Sequence, residues 1–134
     1  MELKIGIKGK QMLMVDEDNT AAAMGSGLLP VFATPSMIAM MEAAAMNSIS
    51  LCIDRGDATV GTMISVKHLS ATPVGMVVRA ESELIEIDGR RLTFSVKAYD
   101  ECGLIGEGTH ERFIVHADPF VKKANAKEAS ILKQ

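Results

Sequence analysis

The sequence is poor in the residues that usually anchor a small core or staple a secreted one. It has no Trp, one Tyr and four Phe, so aromatic side chains make up only 4% of its 134 residues. Ten Met take up much of that space, which predicts an adaptable core, because the unbranched thioether side chain fills irregular gaps. The two cysteines, Cys52 and Cys102, stand in unrelated contexts without CxxC spacing. That excludes a disulfide framework and a cysteine metal site, and it predicts free thiols in a reducing cytoplasm. Charge of one sign is also lacking: 14 Lys and Arg face 17 Asp and Glu, for a net charge of −3, and no basic patch is dense enough to suggest nucleic acid. The first ten residues, MELKIGIKGK, have no apolar core or cleavage site and are not a signal peptide. From Asn19 to Ile53 only Glu42 is charged, yet Pro30, Pro35 and several Ser and Thr interrupt that run, so it is not a membrane span. No phosphate loop, no metal-spaced Cys/His cluster and no GxSxG is present.

What the chain does have is one long apolar segment followed by strand-like alternation. The length fits a single domain, residues 1–134, with 119–134 as a polar tail. Residues 3–15 alternate in two pieces and predict a strand broken near Gly9. Asp16 to Met24 predict a short helix capped by Asp16 and ended by Gly25-Ser26-Gly27. Thr34 to Gly56 predict a long central helix, with Thr34 as N-cap, Pro35 in the first turn and Gly56 as the stop. Its apolar stripe is Met37, Ile38, Met41, Ala45, Met46 and Ile49, with Glu42 in the middle. Beyond it the period becomes two. Strands are predicted over 59–69, 74–87, 90–100 and 104–115, with Pro73 at a bend, Asp88-Gly89 at a tight turn, and Gly106 and Gly108 at a bulge or close approach. Read in order, the last four strands form an antiparallel meander, and Asp118-Pro119 closes the sheet. A single apolar helix followed by so much sheet is expected to be wrapped by it. Such a sheet has open edges, so a homodimer is the default expectation.

Three residues carry the chemistry this pattern allows. Glu42 either reaches water from the margin of the stripe or is a catalytic carboxylate, since a Glu is almost never fully buried without a partner. His68 shares a face with Thr62, Ile64 and Val66, so it is either a satisfied core histidine or a proton carrier that titrates near neutrality. Thr34 is explained by helix capping, and its hydroxyl also lies where the helix N-terminus favours a developing negative charge. Gly61 would let a backbone N–H approach a ligand, or mark a bulge. His110, Arg112 and His116 differ by even steps and share a strand face; Arg112 could clamp an anion, and His116 is read as solvated.

Taken together, VFAT before the helix, Glu42 eight residues after Thr34, TVG at 59–61, VKHLSATPVGMVVRAESEL at 66–84, GRRLTFSVKAYD at 89–100 and GEGTHERFIVH at 106–116 resemble the hot-dog-fold acyl-CoA thioesterases. The similarity is greatest to their fluoroacetyl-CoA thioesterase-like group, and it covers roughly residues 9–123. The resemblance implies an α+β hot-dog fold, an antiparallel sheet of about five strands around one long helix. It implies a catalytic set falling on Thr34, Glu42 and His68, substrate contacts at Gly61 and Arg112, and no cofactor beyond the CoA of the substrate. It also implies a homodimer, extendable to a dimer of dimers, with the active site near the subunit interface. The loop Ala23–Leu29 holds no aromatic residue that could shape a lid for a very small fluorinated acyl group, so the expected substrate is a short or medium acyl-CoA. The rival expectations are a hot-dog hydratase or dehydratase acting on an acyl thioester, and a non-catalytic acyl-CoA-binding dimer.

Overall fold

In the computed structural model, which describes residues 1–132, five antiparallel strands curl around one helix. The strands are β1 (Lys8–Met14), β2 (Asp57–His68), β3 (Val77–Asp88), β4 (Arg91–Asp100) and β5 (Gly103–His116). The helices are α1 (Ala21–Met24), α2 (Thr34–Ser48) and α3 (Ala117–Leu132). The sheet order is β1-β3-β4-β5-β2. The last four strands are therefore not a simple meander: β2 crosses over to pair with β5, and β1 takes the place beside β3. Both β1 and β2 are edges. No helix among the described residues is long and apolar enough to cross a membrane.

The central helix is shorter than its sequence suggested. Its N-cap is Ala33; Thr34 is the first helical residue and makes no capping bond, which frees its hydroxyl. The helix stops at Ser48 rather than Gly56, because side chains take over the last carbonyls: Ser48 donates to Ala45 O at 2.7 Å and Ser50 to Asn47 O at 3.1 Å. Gly56, at φ +87°, instead shapes the turn into β2. The buried face is also rotated from the predicted one. Met37, Met40, Met41, Ala44 and Ala45 are buried, while Ile38 and Glu42 lie on the margin and Met46 is exposed. This face packs on Val78, Ala80, Leu84, Leu92, Phe94, Val96, Ala98 and Ile105 of the sheet. Each fully buried Met or Leu there contributes roughly 1.5–3 kcal/mol relative to exposure.

Two local features set how helix and sheet meet. A Cβ at Gly9 would overlap the Ala44 carbonyl and reach within 2.7 Å of Ser48 Cβ and Ser82 Oγ, so only glycine lets α2 sit directly on β1. The break in the first predicted strand falls earlier, at Gly6, where φ is +97°. In β2 the pairing runs Gly61 with Arg112, then Met63 with Glu111, leaving Thr62 as an extra residue. The bulge turns Thr62 outward, where its hydroxyl meets Glu111 Oε2 at 2.6 Å, rather than inward with Ile64, Val66 and His68 as alternation suggested. The Asp88-Gly89 turn forms as predicted, joining β3 to β4 through Gly89 at φ +61°.

The end of the chain differs most. Residues 117–132 form the continuous helix α3, with no buried residue, where the sequence suggested a frayed tail. Pro119 sits in its first turn, where the absent N–H has no partner to lose. Residues 133 and 134 of the expected tail lie outside the described residues.

Candidate active site

The residues singled out by sequence gather in two places, one at the first turn of the central helix and one at its middle. At its first turn, Thr34 Oγ1 lies 2.7 Å from Nδ1 of His68, the last residue of β2. The pair opens onto a cavity of about 310 Å³ walled by Ala21, Ser26, Val31, Phe32 and the β2–β3 connector. The other ring nitrogen, Nε2, is buried and has no hydrogen-bond partner. Burial lowers the pKa of His68 from its ordinary 6.5, only partly opposed by the nearby Ser70 backbone. The ring is therefore neutral at pH 7, and its Nδ1 can take a proton from the Thr34 hydroxyl.

Two turns further along, Glu42 leans over β2 at Gly61. Its Oε2 would stand 2.9 Å from a Cβ at that position, so the glycine is what allows the carboxylate to come so close. Glu42 is not in the middle of the buried stripe; its side chain is 42% exposed. Its partner is Arg112, whose Nη1 lies 3.9 Å from Oε2. Arg112 is itself 95% buried, at 5% relative exposure. Its fork is tied down by Nε donating to Thr59 Oγ1 at 2.9 Å and Nη2 donating to Thr59 O at 3.0 Å. Burial disfavours the guanidinium charge and Glu42 opposes that effect. Beside it His110, also buried, lies with its ring 6.3 Å from that of Phe94. His116 stands apart on the surface, 2.6 Å from Asp57 Oδ1, consistent with its reading as solvated.

Within one chain the three expected catalytic residues do not meet. Eight helical residues separate Thr34 from Glu42, a rise of about 12 Å. Their sheet partners, His68 and Gly61, lie seven residues apart on β2, roughly 20 Å along the strand. No carboxylate acts on His68, and the carboxylate beside Gly61 faces a guanidinium instead. Sequence reasoning placed His110 on the right face of β5 but gave it no role; its even spacing from Arg112 was the available signal. Gly106 and Gly108 allow close approach as expected, since a Cβ at Gly106 would meet Met37 Sδ at 2.5 Å.

Comparison with known proteins identifies the family and the fold. The family model for fluoroacetyl-CoA-specific thioesterases matches residues 15–118. The fluoroacetyl-CoA thioesterase of Streptantibioticus cattleyicolor is 40% identical over 97 residues, spanning 72% of this chain and 70% of that protein. A solved structure of the fluoroacetyl-CoA thioesterase FlK superposes with a TM-score of 0.89 at 32% identity, covering 95% of this chain and 98% of that one. A thioesterase superfamily member from Thermus thermophilus gives 0.90 at 26% identity, covering 98% and 97% of the two chains. A hot-dog-like protein from Thermanaerovibrio acidaminovorans, at 22% identity and a TM-score of 0.83 over 92% and 91% of the two chains, shares the fold.

Proposed function

The chain belongs to the fluoroacetyl-CoA-specific thioesterase family, and from that premise we propose that it hydrolyses a short or medium acyl-CoA to the free acid and CoA, as a cytoplasmic homodimer whose active sites are shared between subunits. The observation that carries the reading is the 2.7 Å contact between a threonine hydroxyl and a neutral imidazole at a cavity mouth. A hydroxyl within hydrogen-bond reach of a base is the arrangement of an activated nucleophile. When the thioester carbonyl enters beside Thr34, Oγ1 bonds to the carbonyl carbon as its proton passes to His68 Nδ1. Collapse of the tetrahedral intermediate breaks the C–S bond, and the departing CoA sulfur takes that proton. Water then adds to the acyl-threonine ester as His68 accepts its proton, and collapse breaks the C–Oγ1 bond, returning that proton to Thr34 and releasing the free acid.

An imidazolium formed in that buried place requires a counter-charge, and no charged group among the described residues acts on it. A second copy can. Twofold antiparallel pairing of two β2 edges runs the Gly61 end of one strand beside the His68 end of the other. The partner subunit's Glu42, carried at Gly61, then comes to the Thr34–His68 pair. A second reading, in which that carboxylate attacks the carbonyl or activates water itself, is favoured by the half-exposed state of Glu42. A mass increment of one acyl group on Thr34 or on Glu42 in quenched turnover separates the two.

The loop beside the cavity, with Gly25, Ser26, Gly27 and two exposed leucines, Leu28 and Leu29, offers a pliable apolar wall. We assign it tolerance of several short acyl groups instead of strict selection for a fluorinated one. The decisive test mixes two inactive variants. Glu42→Ala and His68→Ala homodimers each release thiol from acyl-CoA only at a small residual rate, whereas their co-refolded mixture regains activity well above either, because each heterodimer keeps one complete site. A mixture as inactive as its parents sinks the shared-site reading. Native protein that binds acyl-CoA without releasing thiol sinks hydrolysis.

A further inference from the structure

The buried imidazole beside the arginine has a defined protonation pattern. His110 Nδ1 lies 2.8 Å from the Met63 carbonyl oxygen. A carbonyl can only accept, so Nδ1 carries the hydrogen. In a neutral ring the other nitrogen, Nε2, is then a lone-pair acceptor, and Arg112 Nη1 lies 3.2 Å from it. The guanidinium is thus gripped from two sides, by Thr59 at Nε and Nη2 and by His110 at Nη1, the same nitrogen that faces Glu42.

We propose that His110 is a positioning residue, which keeps Arg112 Nη1 aimed at Glu42 by presenting it with the lone pair of Nε2, the nitrogen left bare in the neutral tautomer that the Met63 carbonyl selects. The arrangement is sensitive to protonation. A proton on Nε2 would set a donor against a donor and a cation against a cation, and Arg112 would lose its hold beside Glu42. Three charged groups face His110: burial and Arg112 on its own strand favour the neutral ring, while the Met63 carbonyl, Glu42 from α2 and Glu111 from β5 favour the charged one. Burial is the largest of these influences, and the ring is held neutral below its ordinary 6.5.

The kinetic part of the test rests on the thioesterase reading; the spectroscopic part does not. In ¹⁵N-labelled native protein without substrate, His110 shows the neutral Nδ1–H tautomer at pH 7.5, and Arg112 shows slowly rotating Nη groups. As pH falls, the Arg112 signals broaden or collapse at the midpoint of the His110 titration while the amide spectrum stays folded. Arg112 signals indifferent to that titration, or an Nε2–H tautomer, would overturn the proposal. Two variants divide the ring's duties. Asn at 110 keeps a donor for Met63 and loses the acceptor for Arg112; Gln keeps an acceptor within reach of Arg112. His110→Asn lowers kcat by about 10- to 100-fold with little change in KM, the scale of a small misplacement, whereas His110→Gln keeps most of the native rate. Equal rates for the two variants count against the proposal. If His110→Asn does not fold, the titration of native protein still decides. If native protein hydrolyses no acyl-CoA, the functional reading falls and the tautomer and guanidinium signals still judge His110.

Discussion

The open first turn of α2 and the closed place at its middle are built to different rules. At Thr34 one hydroxyl meets one imidazole at an open mouth, and no other side chain holds either of them. At Glu42 a carboxylate is backed by a guanidinium whose three nitrogens are each held, by Thr59 or by His110. The open place suits a proton that must move within each turnover. The closed place suits a charge that must stay where it is. One helix thus carries a mobile half and a fixed half about 12 Å apart, which the proposed pairing of two subunits would join.

This contrast can be broken most directly at the open place. Thr34→Ala or His68→Ala is expected to lower kcat by about 10²- to 10⁴-fold, the usual span for losing acid–base help, with thermal stability nearly unchanged. A variant there that melts early but retains turnover would reverse the roles of the two places. The closed place should answer in the opposite currency. Arg112→Met leaves the Thr59 hydroxyl, the Thr59 carbonyl and His110 Nε2 without their donor, and is expected to cost about 1–3 kcal/mol in urea unfolding. Undiminished stability would mean that the guanidinium is not structural. The smallest effect sharpens the comparison through pH. His68 and His110 both have pKa values lowered in the folded state, so between those values and 6.5 the unfolded chain binds more protons than the native one. Their contribution to stability is complete above pH 6.5 and is lost as pH falls through the lowered folded values. In Arg112→Met the repulsion from the guanidinium is gone, and the His110 part of this slope should shrink while the His68 part remains. Unfolding titrations between pH 7.5 and 5 measure both.

Much of this architecture was legible because local chemistry agreed with the global fold. Proline in the first turn marks where α2 begins, and Asp88-Gly89 marks the β3–β4 turn, since few other structures satisfy those residues. The misses have a common cause: each is a decision made by distant partners. Asp118-Pro119 suits the end of a strand and the first turn of a helix equally well, and α3 takes the second option. The pairing of β2 with β5 is a choice of neighbour across fifty residues that periodicity cannot encode. Thr34, Glu42 and His68 were recognisable as a set, but their separation along α2 follows from helical rise and from which strand each one meets. Glu42 looked central to the stripe because Met40 and Ala44, which turn the buried face away from it, carry no more hydrophobic signal than Ile38 and Met46 do.

The extra residue at Thr62 has a consequence for all of this. Seven steps along an unbroken strand would send the side chains at 61 and 68 to opposite surfaces of the sheet. Because β2 holds one residue more than β5 opposite it, the count is corrected, and both positions open toward the helix. Pairing Thr62 into a regular ladder would turn the glycine window out to water and wall off the carboxylate behind it, whereas deleting Thr62 would leave six even steps and keep both positions on the helix side. The protein keeps its two half-sites on one side of the sheet by carrying a single misfit in register.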